Sequence, residues 1–470
     1  MSTAVELARI QFALTIGYHF MFVPVSMGLG LMMVLAARRY RRSGLDTDRS
    51  SVDLWTRMFA ATFAAGVATG LTMEFAFGTN WSAYSRFVGN IFGAPLAIEG
   101  LLSFFVESSF LGIVLFGKDR ISNRAYYASV WIVFLAALNS AFWILVANSW
   151  MHTPAGFAVE NGQAVLTNIW AAIFTKSLAP RFVHTVNATF MTGAFITAGV
   201  AAHYLLKRRH LDFAKRALVT ALIVGTITSV AQPFIGHWQS LEITADQPMK
   251  MAAMEGIYQT GSHQPLSIYG WVDTANGRAV SIQVPDGLSL MLGLDPDHVV
   301  KGLDSVPPAD RPNAQVLFQT WHLMLGIGTL LAAIMVIGLY LLWRRRLQFS
   351  LPYLKVLRLA MPLPVITCLL GWATTEMGRQ PWIVQGRLRT IDAVSPTVST
   401  GEVATTLAIL VAIYSGVFVA WLYVVRSIVR KGPVPAPVGA EEAAGPEPPA
   451  ARPEQVSQPG PGRRFRAGPS

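Results

Sequence analysis

Charge is the scarcest ingredient of this sequence. Asp, Glu, Lys and Arg make up 13% of its 470 residues, against roughly 25% in soluble domains, so a water-soluble globule is excluded. Cysteine is all but missing. The single Cys368 lies in an apolar run, which rules out a disulfide framework and a CxxCH haem-attachment motif. No basic stretch precedes the first apolar run, and that run is far longer than a signal-peptide core; it reads as a span and not as a cleaved leader. Apolar residues fill the space that charge vacates, at 53%. The net charge of +11 would suggest nucleic acid in a soluble protein, but here it sorts by side of a membrane, and no nucleic-acid partner is expected.

Runs long enough to cross about 30 Å of hydrocarbon centre on residues 10–37, 55–78, 94–117, 126–148, 182–206, 216–238, 316–343, 354–376 and 403–427. The fold expected is all-α: a polytopic bundle of about nine transmembrane helices in a lipid bilayer. It divides into helices one to six (1–238), a polar segment (239–315), helices seven to nine (316–430) and a tail (431–470). The tail is low in complexity and expected to be disordered. Basic residues follow spans one (Arg38, Arg39, Arg41, Arg42), three (Lys118, Arg120, Arg124), five (Lys207, Arg208, Arg209), seven (Arg344, Arg345, Arg346) and nine (Arg426, Arg430, Lys431). The positive-inside rule then places the N-terminus and the 239–315 segment outside and the C-terminus inside.

Ionisable groups within spans are costly and default to functional candidates. His19 lies in span one, Glu99 and Glu107 in span three, His184 at the start of span five, Met324 at the start of span seven and Glu376 at the end of span eight. With about 1.5 Å of rise per residue, candidates from five helices fall in one outer-half layer. Each also has a plain reading. His19 and His184 would serve as helix-to-helix hydrogen-bonding groups, Met324 as core filler, and Glu376 with Arg379 as an interfacial ion pair. Glu99 and Glu107 would serve as the proton relay of a transporter. His152, His263 and His298 read as loop residues without a visible partner. Together, two His, a Met and several carboxylates at one depth suit iron in porphyrin, where His and Met are common axial ligands.

At these residues the sequence resembles subunit I of the cytochrome bd-type quinol oxidases, a family that includes the cyanide-insensitive oxidases. The resemblance rests on "ARIQFALTIGYHFMFVPVSMGLG" (8–30), "GTNWSAYSRFVGNIFGAPLAIEGLLSFFVESSFLGI" (78–113), "ILVANSWMHTPAG" (144–156), "RFVHTVNATFMTG" (181–193), "QPMKMAAMEG" (247–256) and "GWATTEMGRQPW" (371–382). It implies three haems: a low-spin haem b held by His184 and Met324, and two high-spin haems held by His19 and Glu376. The high-spin pair is haem b with haem d, or with a further haem b in place of haem d. It implies Glu99 and Glu107 as carboxylates at the high-spin pair, and Lys250 and Glu255 as quinol-site residues of the external segment, the Q-loop. Arg379 offsets haem charge, and Trp372 and His322 complete the cofactor-binding set.

The implied activity is electrogenic oxidation of ubiquinol or menaquinol at the outer face, with reduction of dioxygen to water by protons from the cytoplasm. The implied setting is the bacterial cytoplasmic membrane, with a second membrane subunit as partner and a small single-span subunit allowed for. His322 stands where the family usually has an arginine, two residues before the axial methionine, and the Q-loop is short. Two other classes stay open at this point: a haem electron carrier and a proton-coupled transporter. Lys250 and Glu255 are expected on an amphipathic turn lying against the membrane.

Overall fold

The computed structural model describes residues 3–118, 120–347, 350–433 and 468. The chain divides into a unit of residues 1–434 and a unit of residues 435–470. The tail expected to be disordered lies outside the described residues except for 431–433 and 468.

Among the described residues, nine helices are long and apolar enough to cross a membrane: Thr3–Ser43, Asp46–Thr79, Ser82–Phe116, Asn123–His152, Leu178–Leu206, Leu211–Asp246, Pro308–Trp343, Leu351–Met377 and Thr400–Lys431. Most outrun the apolar stretches that mark them. The first carries on through Arg38–Arg42, because backbone hydrogen bonding does not stop where the oil stops and long basic side chains reach the interface easily. The sixth runs to Asp246 rather than 238, with Ser240 and Ile243 buried, so it stands out of the apolar layer and carries the next segment on its end.

The fifth span is the most enclosed, with 78% of its apolar window buried, and the ninth the least, at 11%. The fifth is therefore the axis of the bundle. It meets the first at Gly28 and Gly193, where a Cβ on either glycine would stand within 2.4 Å of the other helix's backbone; the two helices touch because neither has a side chain there. One large core runs through this crossing, from Met33, Trp55 and Phe59 to Phe195, Leu218 and Leu357. Large apolar side chains such as Phe75, Phe105 and Phe234 cover the outside, as a lipid solvent requires.

The third span is not a uniform α-helix. Residues Glu99–Phe104 form a π turn shortly after Pro95. Its inward residues Pro95, Glu99, Ser103, Glu107 and Leu111 recur every four positions, a spacing that would rotate steadily away from one face at 3.6 residues per turn. The wider π turn takes up part of that drift and keeps Glu99 and Glu107 facing the same way.

The segment after span six has a core of its own. A helix, Pro248–Glu255, packs with an antiparallel hairpin, Leu266–Asp273 with Arg278–Val284, against the start of span seven. Met251, Met254, Val272, Leu288, Leu317 and Phe318 form the shared interior. The expectation of an amphipathic turn against the membrane is corrected here. Residues Lys250 to Glu255 are all buried, because span seven covers one side of the helix and the hairpin region the other.

Candidate functional site

The chemistry gathers where spans four, five, seven and eight meet this segment. Glu376, in the last turn of span eight, is held by the Arg379 guanidinium, which also donates to the Ile383 carbonyl. Asn148 Nδ2 donates to Glu376 Oε1 at 2.8 Å, and His152 Nε2 stands 3.7 Å from the same oxygen. Arg181 Nη1 donates to Asn148 Oδ1 at 3.4 Å. A carboxylate has about four lone-pair directions, so these contacts leave Glu376 with acceptor capacity.

His152 corrects the sequence reading. It is the last residue of span four, 1% exposed, and its Nδ1 lies 3.1 Å from Gln247 Oε1. His263 also has partners, Asp286 and Asp297, each at 3.1 Å.

Lys250 is buried with its ammonium donating to the Thr375 carbonyl at 3.0 Å, directly beside Glu376 in the chain. It fits only because Gly378 has no side chain in the way. Desolvation and the Arg181 charge push its amine well below the usual lysine range. Glu255 accepts from Trp321 Nε1 at 2.8 Å; burial raises its carboxyl, against the opposing pull of His322.

His322 faces this side and not the spans. Its Nδ1 lies 2.8 Å from the Phe318 carbonyl, its Nε2 2.9 Å from the Ser267 carbonyl in the hairpin, and Nε2 is 4.0 Å from Glu255 Oε2. Both ring nitrogens thus face carbonyl oxygens, and a neutral ring donates to only one of them. Met324, two residues on and about 200° around the helix, packs instead towards span eight, where a Cβ on Gly371 would stand 2.9 Å from its sulfur. Trp372, next to Gly371, is half-buried.

The other candidates sit against their own neighbours. His19 Nδ1 is 3.1 Å from the Gly66 carbonyl. A carbonyl only accepts, so Nδ1 carries the proton and Nε2 the lone pair. The ring lies over Gly70, whose Cβ would come within 3.1 Å of it. His184 lies over Gly236 in the same manner, and its Nδ1 is buried without a partner. Ser140 Oγ donates to Glu99 Oε1 at 2.8 Å, and Glu107 is 4% exposed. Asn148, His152, Arg181 and Glu242 were missed as site residues. The visible signal was polar pairs one turn apart at span ends, Asn148 with His152 and Arg181 with His184.

Among the described residues, no three His, Cys, Asp or Glu come together to hold a bare metal ion. What the protein offers is single donors, with His19, His184 and Met324 each facing a glycine. That is a donor set for iron already bound by a porphyrin, which needs only one or two protein ligands, and the residues fit such a group.

Comparison with known proteins agrees. The family described as cytochrome bd terminal oxidase subunit I matches residues 7–433. The chain belongs to that family. It is 38% identical over 407 residues to the cytochrome bd ubiquinol oxidase subunit 1 of Bacillus subtilis (strain 168), covering 84% of this chain and 87% of that one. It is 32% identical over 502 residues to the cytochrome bd-II ubiquinol oxidase subunit 1 of Escherichia coli (strain K12), covering 92% and 98%. Its fold resembles the structure of bd oxidase from Geobacillus thermodenitrificans, with a TM-score of 0.86, 28% identity and coverage of 92% and 99%. Membership makes the chain a multi-pass bacterial membrane protein, part of a haem-containing quinol:dioxygen oxidoreductase of electron transport. A numbered first subunit implies a second.

Proposed function

We propose that this chain carries both the quinol site and the haem ligands of its oxidase. Quinol, as ubiquinol or menaquinol, is oxidised outside at Lys250 and Glu255. His184 and Met324 hold a low-spin haem b. His19 and Glu376 hold two high-spin haems, one b and one d or a further b. The N-terminus lies outside and the C-terminus in the cytoplasm. In domain terms, 1–238 and 316–430 form the haem-bearing bundle, 239–315 the quinol-binding Q-loop and 431–470 a cytoplasmic tail.

The observation that carries this reading is the seam between the Q-loop and spans seven and eight. Lys250 reaches the backbone beside Glu376, and Glu255 at the end of the Q-loop helix meets Trp321 and His322 on one turn of span seven, next to Met324. A donor bound there is a few side chains from the candidate axial ligands. Lys250, with its amine pushed down, and Glu255, with its carboxyl pushed up, are suited to take up protons that quinol loses.

The haems, when bound, supply one-electron redox chemistry and the iron that reduces dioxygen. The protein's own part is positional. Gly66 sets the His19 tautomer, Gly371 makes room for Met324, and Arg379 with Asn148 orients Glu376. The π turn lines up Glu99 and Glu107 as a proton path from the cytoplasmic side. Protons released outside and consumed from inside separate charge without a pump.

The test is the absorption spectrum of the purified oxidase, reduced and then exposed to carbon monoxide. Haem bands with a carbon monoxide adduct are expected. Haem bands without an adduct would contradict an open high-spin iron held by His19 or Glu376.

A further inference from the structure

Arg181 is a buried cation that the quinol site and the ligand set do not use. It lies in the first turn of span five, 3% exposed. One edge of its guanidinium is fixed by the Nη1 bond to Asn148. The adjacent edge, Nε and Nη2, is buried with no hydrogen-bond partner on either nitrogen. Those two N–H groups point the same way and form the side-on fork that pairs with a carboxylate through two parallel bonds. Burying an unpaired guanidinium is costly, so an open fork at this depth signals a missing anion.

Among the described residues, two carboxylates act on Arg181, Glu242 first and Glu376, already engaged by Arg379 and Asn148, second. Glu242 on span six is the strongest opposite charge that Arg181 feels, yet both of its carboxylate oxygens are also buried without a hydrogen-bond partner. The two face one another's charge and do not pair. Lys250, from the Q-loop helix, lies in the field of the same two groups. Arg181 stands three residues before His184, hence on the same face of span five, and a haem held by His184 brings its own propionate carboxylates.

We propose that the Nε/Nη2 fork of Arg181 binds a propionate carboxylate of the haem held by His184. Arg181 is a cofactor-binding residue, and Glu242 is not its partner in the loaded enzyme. This rests on the assignment of His184 as a haem ligand. A cation at the propionate favours the reduced, less positive haem, so removing it lowers the midpoint potential.

The experiment uses the intact two-subunit oxidase with Arg181→Gln, Arg181→Lys and Glu242→Gln, and haem isotopically labelled at the propionate carboxyls. Arg181→Gln is expected to shift the low-spin midpoint potential downward and to move the labelled carboxylate band in redox-difference infrared spectra. Arg181→Lys, which keeps charge but loses the fork, should move the band while holding the potential near wild type; it also serves if the Gln variant does not assemble. Glu242→Gln should leave the labelled band in place. The proposal is overturned if the Arg181 variants leave band and potential unchanged, or if Glu242→Gln reproduces the Arg181→Gln band shift. The parent reading fails separately, on a His184→Ala oxidase that keeps its low-spin spectrum.

Discussion

A single carboxyl illustrates how much the surroundings decide. Glu255 sits in the dry interior of the Q-loop core, with Trp321 donating to one oxygen and His322 near the other. Its raised pKa means that the proton-accepting form appears only as pH climbs above the ordinary carboxylate range. Quinol turnover should therefore rise with pH through that raised value. Glu255→Gln keeps a Trp321 acceptor and should leave all haem spectra intact, cutting turnover by about 10²-fold or more and flattening that limb of the profile. Steady-state rates against pH check this; wild-type turnover would remove Glu255 from the mechanism. The neighbouring pair gives a second prediction. His322 turns both nitrogens towards carbonyl oxygens, whereas Met324 is turned to span eight. Met324→Leu should abolish the normal low-spin spectrum, while His322→Leu should keep the spectrum and shift the potential. Loss of the spectrum only in His322→Leu would reverse the assignment.

Elements are joined at the opposite end of the bundle by two half-buried arginines around one buried carboxylate. Asp48, at the start of span two and wholly buried, lies 3.1 Å from Arg39 Nε of span one and 3.4 Å from Arg216 Nη1 of span six. Three helices thus share one carboxylate. Asp48→Ala would leave two arginines facing each other without their anion; because Arg39 and Arg216 are 26% and 40% exposed, water screens them and the cost is about 1–3 kcal/mol. The expected outcome is a clearly lowered thermal unfolding midpoint, with haem spectra of the surviving folded protein unchanged because the candidate ligands lie at the other end. An unchanged midpoint would make the triad ornamental. The same logic of faces explains the third span. An apolar run with Glu99 and Glu107 eight residues apart does not by itself reveal a π turn, since that depends on which neighbours, Asn139 and Ser140 of span four, claim the polar side chains.

For the whole molecule, the distribution of basic residues commits to one orientation, and labelling tests it. In a Cys368→Ser background, Thr274→Cys in the exposed Q-loop hairpin turn should react with a membrane-impermeant maleimide on intact cells. Asn123→Cys, at the first residue of span four beside the basic connection, should react only after the membrane is opened. Both positions are exposed, so the reverse pattern would invert the topology and with it the side on which protons are released.

Length and hydropathy along the chain determined the number of spans, because a bilayer imposes one requirement on every crossing segment. They also marked the ionisable residues worth attention, because oil makes each one expensive. His19, His184, Glu376 and Arg379 stand out as candidates for that reason. Only the tertiary structure decided that the Q-loop helix is buried rather than resting on the membrane, that His152 belongs to the site, and that Arg181 opens a fork beside His184. Those facts depend on which side chains from distant segments meet, and burial is a property of the meeting rather than of either segment. Spacing along one helix tells which residues share a face; it does not tell what that face is pressed against.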